Sequence, residues 1–267
     1  MPSTRTSGVE IHFEVRGSGP PLLMIPGFSL DLHVFDLLAA QLERRFTCVG
    51  MDNRGAGESE APRGQYEIRE LAEDAAAVLG ASGGTPAFVL GHSMGGFAAL
   101  ELALNDDRLV RGLLLVSTAA TGARERLGRA EEAAAALDRR TGTPAEIART
   151  VLSASLDAAF VEAHPEELER LVAGRLAHPP RGRGVAGQRA AAEAFDATSR
   201  LARIRVPTAV VHGGTDRVVA PSCGAALAAG IPGAAFHLLP GVGHMPFWEA
   251  PEALAAIAVE TFLRSSA

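Results

Sequence analysis

Short apolar runs alternate along the chain with longer segments in which apolar residues recur at helical spacing. The runs predict strands at residues 9–15, 22–25, 47–51, 87–90, 110–116, 206–212 and 236–239. The helical spacing predicts helices at residues 33–42, 68–79, 97–104 and 251–263. Strands that alternate with helices in this way favour a mainly parallel sheet that is covered by helices on both faces.

The alternation stops between residues 118 and 200. No strand pattern occurs there, alanine, glutamate and arginine dominate, and helices are predicted at residues 124–139, 144–156 and 165–176. A stretch rich in proline and glycine at residues 179–184 predicts a loop. We therefore predict one core domain, made of residues 1–117 and 201–267, that is interrupted by a helical cap at residues 118–200.

The composition excludes several classes of function. The 267 residues are 47% hydrophobic and 21% charged, and the net charge of -6 argues against a nucleic-acid-binding surface. All 25 basic residues are arginine. Because there is no lysine, the chain offers no P-loop lysine, no Schiff-base lysine for pyridoxal phosphate and no β-lactamase-type lysine.

The two cysteines and the N-terminal segment bear on cellular location. Cys48 and Cys223 are far apart and show neither metal-type nor redox-type spacing, so we expect neither a disulfide framework nor a metal site. The N-terminal residues lack the pattern of a signal peptide, and no apolar run is long enough to span a bilayer. These features predict a cytoplasmic protein without membrane partners.

The strongest functional signal is the segment Gly91-His92-Ser93-Met94-Gly95, which stands between a predicted strand and a predicted helix. A nucleophilic serine has to protrude from the sheet edge on a tight turn, and flanking glycines permit that turn because a Cβ would crowd it. The helix N-terminus also favours negative charge that develops nearby. Ser93 is therefore the candidate nucleophile, and the alternative is a glycine-rich turn with an inert serine.

A serine nucleophile needs a base, and the base needs an acid that orients it. His244 lies in a loop of glycines and a proline after the last predicted strand. Asp216 follows the strand that ends at His212, whereas the strand at residues 110–116 is followed by no carboxylate. The order serine, aspartate, histidine is the one expected for a serine on such a turn. The alternatives are a surface histidine and a turn or helix-capping aspartate.

The oxyanion of a tetrahedral intermediate needs two backbone N–H donors. One is expected from Met94, the residue after the candidate nucleophile. The other is expected from the loop that follows the strand at residues 22–25, where Phe28 is the candidate.

These motifs resemble those of the α/β-hydrolase superfamily, in its group of esterases, enol-lactonases, non-haem haloperoxidases and C–C hydrolases. The matching segments are Gly91-His92-Ser93-Met94-Gly95-Gly96, Asp52-Asn53-Arg54-Gly55-Ala56-Gly57-Glu58-Ser59, Gly213-Gly214-Thr215-Asp216 and Gly243-His244-Met245-Pro246. The resemblance covers nearly the whole chain except the insertion, and implies an α/β fold with a mostly parallel eight-stranded sheet and an inserted helical cap. One departure is Pro26-Gly27, where the family commonly has His-Gly.

The resemblance also implies acyl transfer to water without a metal or an organic cofactor. Relatives that open epoxides or displace halide carry an aspartate at the Ser93 position, so we expect hydrolysis of a small ester, lactone or thioester, of the carboxylesterase or lactonase type. Two alternatives stay open. One is a C–C hydrolase, lyase or cyclase of a biosynthetic pathway with the same triad, and the other is a non-catalytic, ligand-binding member of the fold. A small-molecule substrate and a monomer or homodimer are expected.

Four side chains are candidates for the substrate pocket. His33 lies near the predicted oxyanion loop, and Phe160 is one of two aromatic residues in the predicted cap. Phe247 and Trp248 follow shortly after the candidate base. A place at the start of a helix is the alternative role for His33, and core packing is the alternative for Phe247 and Trp248.

Overall fold

A computed structural model describes residues 2–123, 127–128, 130–139 and 141–263, and its centre is one eight-stranded sheet. The strands are β1 (Ser3–Thr6), β2 (Val9–Gly17), β3 (Pro21–Ile25), β4 (Thr47–Met51), β5 (Ala87–His92), β6 (Val110–Val116), β7 (Thr208–Gly213) and β8 (Ala235–Leu239). Their spatial order is β1-β2-β4-β3-β5-β6-β7-β8. Pairing is antiparallel for β1 with β2 and β2 with β4, and parallel from β4 to β8. The predicted fold class is confirmed.

Helices cover both faces of this sheet. Outside the segment between β6 and β7 they are α1 (Asp36–Leu42), α2 (Ile68–Ala81), α3 (Met94–Asn105), α9 (Pro221–Gly230), α10 (Pro246–Glu249) and α11 (Pro251–Leu263). Successive strand residues point to opposite faces, so Leu23 packs in the cluster that contains α2 and α3, and Leu22 in the cluster that contains α1 and α11. Because both faces are buried, the central strands are apolar throughout.

Five helices lie between β6 and β7. They are α4 (Glu131–Leu137), α5 (Pro144–Ser155), α6 (Ala158–Ala163), α7 (Pro165–Ala177) and α8 (Gly182–Ala194). Part of the helix predicted at residues 124–139 falls on residues outside the described ones, and α4 begins at Glu131. The loop predicted at residues 179–184 is shorter than expected, because α8 already begins at Gly182.

Helix α8 contacts the loop after β4 at very short range. A Cβ on Gly184 would lie 2.0 Å from the carbonyl oxygen of Gly55, so only glycine allows this approach. The loop itself is fixed by Asp52, whose carboxylate accepts the N–H groups of Leu32 and Glu58 at 2.8 Å each. Residues of the five helices also share the core clusters of the sheet, for example Leu152 and Ala191. The helical insertion is therefore packed onto the sheet.

Within the described part of the chain, no helix combines the length and the apolar character that crossing a membrane would require.

Candidate active site

Ser93 occupies the single-residue turn between β5 and α3. Its backbone has φ 52° and ψ −118°, a conformation that is unfavourable for a residue with a side chain. The Ser93 N–H donates to the Val116 carbonyl at 2.9 Å, and the Ser93 carbonyl accepts from the Thr118 hydroxyl at 2.7 Å. The end of β6 and the residues after it thus hold the strained turn through both the N–H and the carbonyl of Ser93.

The close approach of α3 to β3 brings a second loop against this turn. A Cβ on Gly95 would lie 2.2 Å from the carbonyl oxygen of Ile25, so this position requires glycine. Gly27 in turn sits so close that a Cβ there would lie 3.2 Å from Cβ of Ser93. The Asn53 side-chain amide donates to the Pro26 carbonyl at 2.8 Å. The loop that carries Phe28 is thereby fixed beside Ser93.

Asp216 lies in the loop after β7 and His244 in the loop after β8, and their side chains are in contact. Nδ1 of His244 lies 2.7 Å from Oδ2 of Asp216, and both residues are buried. The His244 backbone N–H donates to the Ser155 carbonyl of α5 at 2.7 Å. The ring is therefore held by a carboxylate at Nδ1, which directs the hydrogen to that nitrogen and leaves Nε2 as an acceptor.

The Asp216 carboxylate is surrounded by donors. Its Oδ1 accepts the N–H groups of Val218 at 2.8 Å and Val219 at 3.0 Å, while Oδ2 faces His244. Burial alone would raise the pKa of Asp216, but the proximity of His244 and hydrogen bonds from His212 and His244 hold it well below 3.8. Asp216 is therefore ionised at neutral pH and can orient an imidazole and stabilise its charged form.

His212 was missed as a part of this arrangement. Its place at a strand end favours a packing or loop-bonding role, yet its Nε2 lies 3.1 Å from Oδ2 of Asp216 as well as 3.0 Å from the Val219 carbonyl. A carbonyl can only accept, so Nε2 carries a hydrogen. No local sequence signal marks this role, except that a histidine stands four residues before the aspartate.

Glu249 is a second residue that sequence analysis missed. Its carboxylate accepts the N–H of Gly243 at 3.1 Å, of Met245 at 3.4 Å and of Asp157 at 2.8 Å. Burial raises the pKa of Glu249 to about 7, against the lowering effect of those hydrogen bonds. This side chain thus fixes the loop on both sides of His244 and ties it to the start of α6.

A cavity of about 430 Å³ opens onto these residues. Ser93, Met94, His244 and Phe28 all line it. Four of the five residues predicted for the triad and the oxyanion hole therefore face one space, and the fifth, Asp216, contacts the far side of the His244 ring. Much of the remaining wall is apolar and comes from α5 and the Val218–Val219 segment, for example Ile147, Val151 and Leu152.

Comparison with known proteins agrees with this architecture. The sequence profile of the α/β hydrolase fold matches residues 20–251. The chain belongs to the α/β-hydrolase fold family.

Relatives of this α/β-hydrolase chain include proteins of several activities. It is 30% identical over 249 residues to the protein named "Putative carbamate hydrolase RutD" of Azorhizobium caulinodans, with 88% of each chain covered. It is 30% identical over 252 residues to a pimeloyl-(acyl-carrier protein) methyl ester esterase of Neisseria meningitidis, covering 88% of this chain and 90% of the relative. Among solved structures, the enol-lactonase of Burkholderia xenovorans matches with a TM-score of 0.86 at 27% identity, covering 98% of this chain and 100% of that one.

The predicted pocket residues of this α/β-hydrolase chain lie elsewhere. None of His33, Phe160, Phe247 and Trp248 is among the described residues that line the cavity. Phe247 is fully buried, and its ring packs against Phe35 and His92.

The other three also have different neighbours. His33 lies 3.4 Å from the Asp36 carboxylate, Phe160 packs against the ring of His164, and Trp248 packs on the α1–α11 cluster. These four predictions are corrected, because neither nearness in sequence to the base or the oxyanion loop nor an aromatic side chain between β6 and β7 fixes the direction in which a side chain points. The cavity wall comes instead largely from α5, α8 and the Val218–Val219 segment, and α7 contributes Arg175.

In the described residues of this α/β-hydrolase chain, no three histidine, cysteine or acidic side chains converge in a way that could hold a metal ion.

Proposed function

We propose that the chain is a serine hydrolase that cleaves a small carboxylic ester, lactone or thioester through an acyl-enzyme. The observation that supports this most directly is the 2.7 Å contact between His244 and Asp216, in combination with a strained Ser93 that faces the same cavity as His244. Acyl transfer by a serine needs a hydroxyl, an imidazole that faces the same space, and an ionised carboxylate that contacts the imidazole.

In the proposed mechanism, Nε2 of His244 removes the proton from the Ser93 hydroxyl while Oγ attacks the substrate carbonyl carbon. The negative charge moves to the carbonyl oxygen, which accepts hydrogen bonds from the N–H groups of Met94 and Phe28. When the tetrahedral intermediate collapses, His244 returns the proton to the leaving alcohol or thiol. A water molecule then attacks the acyl-enzyme by the same route and restores Ser93. Asp216 keeps the imidazole oriented and stabilises its charge throughout.

The cavity and the relatives support the proposed substrate class. A cavity of about 430 Å³ with a mainly apolar wall suits an acyl group of modest size. The relatives are named for carbamate, methyl ester and enol-lactone substrates. A first substrate panel should therefore contain short-chain esters, lactones, thioesters and carbamates.

The test is a reaction with a fluorophosphonate probe that is read by intact mass. The wild-type chain should gain one adduct, and Ser93→Ala and His244→Ala should gain none at matched times. Ser117 offers a matched control, because it is also buried at a strand end with a positive φ of 48°. Ser117→Ala should label like the wild type. If folded wild type takes no adduct and turns over no member of the panel, the proposed hydrolase is wrong and a ligand-binding role takes its place.

A further inference from the structure

Ser29 follows Phe28 in the chain, and its N–H, carbonyl and hydroxyl all form hydrogen bonds with helices between β6 and β7. Its N–H donates to Oε1 of Gln188 at 2.8 Å. Its carbonyl accepts from the Arg175 guanidinium, which also donates to the Ser29 hydroxyl at 2.8 Å. Gln188 belongs to α8 and Arg175 to α7.

The conformation of Ser29 explains why support is needed. Its φ is +58°, in the left-handed region that a non-glycine residue enters only when its surroundings hold it there. Phe28 and Ser29 form the middle of a turn that the Leu30 N–H closes on the Gly27 carbonyl at 3.3 Å. A change in the Ser29 backbone would therefore disturb the whole turn, which also carries the N–H of Phe28, a residue that lines the cavity.

Gln188 is a rigid partner for this turn. Its side chain is completely buried, and its Nε2 donates to the Arg54 carbonyl at 2.8 Å. The orientation of the amide is unambiguous, because the Ser29 N–H can only donate and the Arg54 carbonyl can only accept. Arg54 is itself fixed, since its guanidinium donates to both carboxylate oxygens of Asp74 at 2.6 and 2.8 Å. A series of hydrogen bonds, buried up to Gln188 and partly buried at Ser29, thus connects α2 through Arg54 and Gln188 to Ser29.

We propose that Gln188 and Arg175 are positioning residues for the oxyanion hole. Through them, helices α7 and α8 of the cap fix the direction in which the Phe28 N–H points. The proposal rests on the function proposed above. It assigns to the cap a part in the chemical step in addition to lining the cavity. Neither side chain needs to touch the reacting atoms, because each acts through the backbone of Ser29.

The test compares kcat and KM for an ester that wild type hydrolyses. Gln188→Leu removes both hydrogen bonds at similar volume and should lower kcat roughly 10- to 100-fold, a part of the effect of losing one oxyanion donor. KM should change less than about threefold, because binding of the ground state does not depend on that donor. Gln188→Glu, when protonated, restores one acceptor and one donor and should recover most of kcat.

Arg181 supplies a matched control. Its guanidinium donates from the N-terminus of the same helix to the Ser59 carbonyl at 3.1 Å and does not contact Ser29. Arg181→Gln should leave kcat within about twofold of wild type, since this hydrogen bond ends at Ser59 and makes no contact with the turn that carries Phe28 and Ser29. An equal loss of kcat in Arg181→Gln would show that only docking of the cap matters and would overturn the proposal.

A boronic acid that mimics the tetrahedral intermediate gives an independent readout. Its affinity should fall in Gln188→Leu by the same factor as kcat, while the pH profile keeps its midpoint because His244 and Asp216 are untouched. Unchanged kcat and boronate affinity in a folded Gln188→Leu would refute the positioning role. Failure of wild-type protein to hydrolyse any ester or to label at Ser93 would instead refute the proposed function, so the two failures are distinguishable.

If Gln188→Leu does not fold, Arg175→Met takes its place. It removes the two donors to the Ser29 carbonyl and hydroxyl but leaves the Gln188 contacts intact. The same split is expected, with a lower kcat and a nearly constant KM. A loss confined to KM would contradict the proposal, because it would mean that Arg175 acts on bound substrate only.

Discussion

Nε2 of His212 lies 3.1 Å from Oδ2 of Asp216, the oxygen that also contacts His244. Two imidazoles therefore share one carboxylate oxygen, and two backbone N–H groups hold the other. This number of donors keeps the carboxylate ionised in a buried place. It also stops the carboxylate from turning away from His244.

Replacing His212 by phenylalanine tests that arrangement. The ring shape is retained while the hydrogen bond to Asp216 is lost, so kcat for an ester should fall roughly tenfold, as expected for one charge-assisted hydrogen bond. The fluorophosphonate adduct on Ser93 should still form, only more slowly. A kcat equal to that of wild type would show that the other three donors suffice.

Asp216→Asn should have a far larger effect. The amide has nearly the same shape but can present its NH2 group to His244, which would put the imidazole hydrogen on the wrong nitrogen. We expect kcat to fall by roughly 10³- to 10⁴-fold, by analogy with other serine triads. Steady-state kinetics with His212→Phe alongside checks the ranking. A loss smaller than that of His212→Phe would exclude Asp216 as the residue that orients the base.

Gly95→Ala should unfold or severely destabilise the turn that carries Ser93. The added Cβ would lie 2.2 Å from a backbone oxygen of β3, and neither backbone can move without disrupting the sheet. We expect a loss of roughly 3 kcal/mol or more in the free energy of unfolding, as for overpacking in a rigid core. The measurement is urea denaturation followed by circular dichroism.

Gly80 in α2 provides the control for this substitution. A Cβ there meets no atom within 4 Å, and the residue lies in a helix. Gly80→Ala should raise the free energy of unfolding by roughly 0.5 to 1 kcal/mol, because alanine loses less backbone entropy on folding. Equal effects of the two substitutions would contradict the steric explanation for Gly95.

Glu249 should make the stability of the protein fall with rising pH. Its pKa is raised from 4.5 to about 7 in the folded chain, so the folded state holds a proton that the unfolded state releases. The contribution is present below pH 4.5 and is lost as the pH rises through about 7. Compared with Glu249→Gln, wild type should lose about 1 to 3 kcal/mol more between pH 5 and pH 8. Parallel pH dependence of the free energy of unfolding in the two proteins would contradict this.

The sequence predicted best what depends on local pattern. The strand at residues 110–116 and the helix at residues 251–263 have the predicted bounds, because apolar periodicity and a starting proline define them. Ser93, Asp216 and His244 each follow a strand, and ends of parallel strands meet at one edge of the sheet. Their convergence was therefore predictable without any knowledge of the cap.

Features that depend on long-range contact were not predictable. The first turn of helix α8 contains Gly182 and Gly184, which lower helix propensity and, after two prolines, led to the prediction of a loop at residues 179–184. The helix forms because its glycines let it approach the core closely, and tertiary packing outweighs propensity there. The hydrogen bond between Gln188 and Ser29 joins residues that are 159 positions apart in sequence, so no local pattern predicts it.

The short distance between Gly184 and Gly55 has a consequence for protein engineering. If helices α4 to α8 were exchanged for the corresponding segment of a relative, that segment would have to place a residue without a Cβ at the position of Gly184 and an acceptor opposite the Ser29 N–H. A segment chosen only for the shape of its pocket would pack farther from the core and leave the Ser29 N–H without an acceptor. An exchange of specificity between such chains therefore requires that the contact between α8 and the loops after β3 and β4 is matched as well as the pocket.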